Sequence, residues 1–181
     1  MNNRSPRGSA AKKIALVGIS AATVECAKLA LAALPNVEVV TLLTALYGYT
    51  FGWLGVCASI VFVCIEPLIW GVNTWVVLYF IYWPLLSLVF MLLGKLKIKN
   101  RLALTSVAVI LTVFFGILSS LIDVGLFSGY FDNFLYRFSV YYLRGVPFYI
   151  AQVVTNAIAF PTLFIFLSGK LEKTKKNVLK M

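Results

Sequence analysis

The sequence predicts an all-α integral membrane protein, a six-transmembrane-helix bundle with both termini in the cytoplasm. Three observations predict it. Of the 181 residues, 61% are hydrophobic and 12% charged, whereas a soluble domain is about half apolar and about a quarter charged. The apolar residues fall in long runs separated by short breaks. Thirteen of the sixteen Lys and Arg lie in three clusters between those runs, and an even number of spans puts all three on one side of a bilayer, as short cytoplasmic loops require.

The spans are expected at 11–34, 37–51, 53–71, 74–95, 102–127 and 142–169. Pro35-Asn36 separates the first from the second, and Gly52 follows Tyr47-Gly48-Tyr49-Thr50 into the third. Glu66-Pro67 and Gly71-Val72-Asn73 end the third. Lys95, Lys97, Lys99 and Arg101 form a basic loop after the fourth, and residues 128–141 form the longest connection. Six helices of roughly 20 residues use about 120 residues. That leaves one membrane domain, 11–169, with a basic N-terminal tail, 1–10, and a basic C-terminal tail, 170–181. The run from Ile14 is too long for a secretory signal and is read as a retained span.

Several function classes lack their parts. Histidine is absent and Cys26, Cys57 and Cys64 lie in apolar runs, so His/Cys metal sites and secreted disulfide frameworks are not expected. No paired-carboxylate or Gly-rich phosphate motif is present. No catalytic residues, metal or cofactor are therefore assigned, and the clustered basic residues are topological rather than a nucleic-acid footprint.

In the first span the small residues Ala11, Ala15, Gly18, Ala22, Cys26, Ala30 and Ala33 recur at steps of three or four and share one helix face. Helices associate in lipid where small side chains let backbones approach, so this stripe is an interface, either with a partner or with the rest of the bundle. Glu25 and Lys28 lie on another face, three residues apart. They form an intrahelical ion pair or contribute to a polar cavity, since ionisable groups at membrane depth point inward.

Candidate binding residues gather toward the outer ends of the helices: Asn36, Glu38 and Thr41; Glu66, Trp70, Asn73, Trp75 and Tyr79; Asp123, Arg137, Tyr141 and Arg144; and, deeper, Gln152 and Asn156. Aromatic walls with a few placed polar groups suit a small-molecule site. Trp and Tyr also mark membrane interfaces in general, but a belt does not explain Asp123, Gln152 and Asn156. Arg137 or Arg144 would meet an anionic group, and Glu38, Glu66 or Asp123 would hold amides or amines.

Leu34-Pro35-Asn36-Val37-Glu38-Val39-Val40-Thr41-Leu42-Leu43, followed by Tyr47-Gly48-Tyr49-Thr50-Phe51-Gly52, resembles the first outer loop and second helix of S components, the substrate-binding membrane subunits of energy-coupling factor (ECF) vitamin transporters. The resemblance implies a prokaryotic cell-membrane protein that captures a vitamin-like small molecule at the outer face. Its partners would be a transmembrane coupling subunit and two cytoplasmic ATPases, and toppling of the subunit in the bilayer would carry the substrate inward. The family's Ala-x-x-x-Ala docking motif matches Ala11 and Ala15, or Gly18 and Ala22. The Pro-Asn-Val-Glu variant is similar to S components for cobalamin or related large cofactors, with riboflavin, folate, pantothenate, thiamine precursors and queuosine precursors also open. The alternative is a small secondary transporter or channel that works alone.

Overall fold

A computed structural model describes residues 6–34, 38–128 and 132–179. The elements in chain order are α1 (Pro6–Ala30), α2 (Val40–Phe51), α3 (Trp53–Trp70), α4 (Trp75–Lys95), α5 (Arg101–Ile122), a π-helical turn (Asp123–Phe127), α6 (Phe134–Ala159), a second π-helical turn (Phe160–Phe164) and α7 (Ile165–Leu179). Among the described residues there is no strand. Among the described residues, four helices are long and apolar enough to cross a membrane: α3, α4, α5 with its π turn, and the continuous helix Phe134–Val178. Their outer faces are apolar, with Ile69, Phe80, Ile110, Ile150 and Ile158 exposed, the inverse of a water-facing bundle.

Local chemistry sets the helix limits. Pro6 opens α1 at a position where its missing N–H costs nothing. Asn100 caps α5, its side-chain oxygen accepting from the Leu102 and Ala103 amides. Gly52, at φ 65°, turns the chain from α2 into α3 in a conformation that a side chain would strain.

The short α2 is the centre of the bundle. Ten of its twelve residues are buried, packed between α3 and α4 with α1 and the α6–α7 helix beyond. Glycines make this close approach possible: a Cβ on Gly48 would stand 2.2 Å from the Ser87 carbonyl oxygen of α4, and one on Gly55 would stand 2.1 Å from that of Tyr47. Around α2 the core is filled by Phe62, Tyr82, Leu86, Phe90, Phe160 and Phe164.

One end of the bundle gathers the basic stretches. The Tyr49 hydroxyl donates to the Ile98 carbonyl at 2.9 Å, Lys175 Nζ donates to the Thr50 carbonyl at 2.9 Å, and Lys95 Nζ lies 5.9 Å from the centre of the Trp53 ring. The Lys175 contact also places a cation on the open carbonyls at the C-terminal end of α2. α1 runs antiparallel to α2, with Thr23 beside Tyr47 and Lys28 near Thr41, so its N-terminus points to the same end.

The sixth helix differs from expectation. It does not span 142–169 after a long connection at 128–141; it is helical from Phe134 through to α7. Apolar run length sized the expected span, but side-chain pairing extends the helix: Phe134, Phe138 and Tyr142 stack at four-residue steps, and the Arg137 guanidinium donates to Ser128 Oγ and the Asp132 carbonyl. Pro161 is absorbed by the wider π turn at Phe160–Phe164. Helices α1 and α2 are also displaced from 11–34 and 37–51, to Pro6–Ala30 and Val40–Phe51.

Gly48→Val forces α2 and α4 apart, because the obstructing atom belongs to backbone. It should cost at least about 1–3 kcal/mol in a denaturant titration of the detergent-solubilised protein. Gly18→Ala, with nothing within 4 Å of the added Cβ, should leave that titration unchanged.

Candidate functional site

Twelve residues of helix extend about 18 Å, well short of the roughly 30 Å of a bilayer core. Because α2 starts at Val40 while its neighbours continue past that level, a cavity of about 210 Å³ opens above its first turn. Val40 and Thr41 form its floor beside Glu38; Tyr79, Tyr82 and Trp83 of α4 and Phe115 of α5 form an aromatic wall. Lys28, Leu31 and Ala32 close the α1 side, and Thr112 and Gln152 the opposite one. A second cavity of about 470 Å³ shares Lys28, Ala32 and Tyr79 and is completed by Glu66, Trp70 and Trp75.

Beneath the first cavity lies a buried polar network. Glu38 accepts from the Thr41 amide at 2.9 Å, from the Thr41 hydroxyl at 2.5 Å and from Asn156 Nδ2 at 3.1 Å. Asn156 Nδ2 also donates to Thr112 Oγ1 at 3.1 Å, and the Tyr82 hydroxyl lies between Thr41 and Thr112. Asn156 is fully buried. The network ties the start of α2 to the middles of α4 and α5 and to the last turn of α6, which fixes the floor of the cavity where irregular backbone precedes a helix.

The α1 side is ionic. Lys28 does not pair with Glu25, one of the two readings left open by the sequence. Its ammonium bonds to Glu66 of α3 and lies 5.5 Å from the Trp70 ring centre and 5.3 Å from that of Tyr79. Glu25 is buried among Glu66, Lys28 and Trp70, and neither of its oxygens meets a hydrogen-bond donor in bonding geometry.

The residues expected from sequence divide in two. Glu38, Thr41, Tyr79 and Gln152 line the first cavity, Glu66, Trp70, Trp75 and Tyr79 the second, and Asn156 supports Glu38. Asn73 is on the exposed turn before α4, where its side chain accepts from the Thr74 amide. Asp123, Arg137, Tyr141 and Arg144 line neither cavity; Asp123, Tyr141 and Arg144 neighbour one another where the π turn meets α6, and Arg137 bonds locally. Asn36 lies outside the described residues.

Lys28, Leu31, Thr112 and Phe115 are lining residues absent from that expected set. Lys28 carried a signal, a charge at membrane depth; Thr112 and Phe115 carried none, being ordinary residues of an apolar run.

The small-residue stripe faces outward. Ala11, Ala15, Gly18, Ala22 and Cys26 are all exposed, whereas α1 meets the bundle through Ser20, Ala21, Val24 and Glu25. Internal packing therefore does not account for the stripe.

No protein-family model matches the chain, and no curated protein or solved structure is significantly similar to it.

Asn156→Leu removes the donor shared by Glu38 and Thr112 and leaves Glu38 Oε1, part-buried, with the Thr41 hydroxyl alone. It should lower unfolding stability by about 1–3 kcal/mol, while Thr174→Ala on the exposed end of α7 should change it little; the two are compared in one denaturant titration.

Proposed function

We propose that this chain is the S component of an ECF-type transporter, capturing a vitamin-like solute from outside and delivering it by docking on an ATP-driven coupling module. The observation that carries the reading is the pair of adjoining cavities at the end of the bundle opposite its basic stretches, with aromatic walls and a few buried polar groups. Such a site suits binding without chemistry. In this reading α1 and the short α2 join the four longer helices as six membrane-embedded segments, the α2 helix itself covering only part of the bilayer core and the cavity opening above it. The basic stretches then lie in the cytoplasm of a prokaryotic cell, and the cavities open outward.

The outward stripe on α1 supports docking on a coupling subunit, with Ala11, Ala15, Gly18, Ala22 and Cys26 letting the partner's backbone approach. Two cytoplasmic ATPases bound to that subunit supply the energy. The cavity volumes favour a small vitamin or precursor over a cobalamin-like cofactor: the first is about 210 Å³ and the second about 470 Å³, at or below the middle of the roughly 300–1,000 Å³ that holds drug-sized ligands.

One observation favours a second reading, a secondary transporter working alone: Glu25, Glu66 and Lys28 form an ionisable group at membrane depth of the kind that relays ions. Uptake in a host lacking the ATPase module separates the two. Uptake that persists there and follows an ion gradient supports the stand-alone transporter.

Co-purification with a coupling subunit, with mass spectrometry of the retained small molecule, tests the main reading directly. Ala15→Leu and Ala22→Leu should abolish transport and assembly while solute affinity of the isolated subunit stays within about twofold. Loss of binding with assembly preserved would contradict the docking role. Reporters fused to the two termini should both report cytoplasm; opposite sides would overturn the six-span arrangement.

A further inference from the structure

The charge around the cavities narrows the solute. The Lys28 ammonium is held by one carboxylate and two aromatic rings, those of Trp70 and Tyr79, an arrangement that recognises organic cations through ring faces and a counter-charge. Here the occupant is tethered to the chain itself, and it satisfies the group only in part. Glu66 lines the second cavity and is 1% exposed, yet its Oε1 meets no donor. Glu25, 6% exposed, has no donor on either oxygen.

Two acidic side chains therefore face one ammonium. Glu38 adds a third carboxylate at the first cavity, already supplied with donors by Thr41 and Asn156. Among the described residues Lys28 is the one cation that lines either cavity. Arg137 and Arg144, the expected partners of an anionic group, line neither. A buried carboxylate without a partner is costly. An entering positive charge relieves that cost, and an entering negative charge compounds it.

We infer that the solute is an organic cation, a protonated amine, quaternary ammonium or positively charged aromatic ring, seated against Glu66 among Trp70, Trp75 and Tyr79. The inference rests on the solute-binding reading above and deepens it. With one such cation bound, the Glu66 carboxylate lies between two positive charges, with Glu25 close behind it. Glu66 would touch the solute; Glu25, behind it, would set the field.

The test uses the full-length protein in lipid nanodiscs and three probes of similar shape: benzyltrimethylammonium, benzyl alcohol and benzylsulfonate. Binding is followed by quenching of tryptophan fluorescence and by calorimetry. The cation should bind at least about tenfold more tightly than the other two. Glu66→Gln and Glu25→Gln should each weaken it about tenfold, the weight of a charge-assisted contact. Lys28→Met, which removes the competing charge, should tighten it several-fold; a purely structural lysine would not give that gain.

Saturable binding of benzylsulfonate equal to or tighter than that of the cation overturns this inference and leaves the solute-binding reading standing. So does unchanged cation affinity in folded Glu66→Gln. Where a variant fails to fold, the three-probe comparison on the unaltered protein decides alone. Binding of none of the probes, with no small molecule retained on purification, overturns both.

Discussion

A twelve-residue helix at the middle of a bundle of longer ones is the constraint on which the rest depends. It is short because Gly52 turns the chain at one end and the polar stretch around Glu38 precedes it at the other. Its neighbours close over it because Gly48, Gly55 and Gly94 remove the side chains that would hold the backbones apart. The helices around it continue past its first residue, and the unfilled length becomes the cavity. A longer α2 would fill the space with its own side chains.

Shortening a buried helix exposes its first amides to an apolar interior, and the structure answers that cost with the Glu38 carboxylate. Glu38 accepts from the backbone and hydroxyl of Thr41, then reaches Asn156, which reaches Thr112. A negative charge at a helix N-terminus is also favoured by the helix dipole. The network thus caps α2, shapes the cavity floor and links α2 to α5 and α6.

The ionic group on α1 answers to different forces. Glu25 and Lys28 are three residues apart, close enough to pair along one helix, but the lysine reaches across to Glu66 and lies near the rings of Trp70 and Tyr79. The cross-helix partner adds ring contacts and ties α1 to α3. The arrangement leaves Glu25 buried without a donor behind Glu66, so α1 turns Lys28 to the cavities and a small-residue outer face away from the bundle.

Much of this was legible along the chain. The apolar runs marked α3, α4 and α5 to within a few residues, because span length follows from composition and from glycine and proline punctuation. Glu38, Thr41, Glu66, Tyr79, Gln152 and Asn156 stood out as polar or amphipathic groups where apolar ones were expected, and the fold brings them to one place. The extent of the sixth helix was not legible, because aromatic stacking at four-residue steps does not alter hydropathy. Nor was the exclusion of Asp123, Arg137, Tyr141 and Arg144 from the cavities, since outer polar residues look alike until their helices are placed. The sequence by itself determined which runs are apolar enough to cross a bilayer and where the basic stretches fall, because both are properties of neighbouring residues. Only the tertiary structure decided that Lys28 pairs with a carboxylate 38 residues away rather than three, and that α2 leaves a cavity above it, because both depend on how far separate helices extend beside one another.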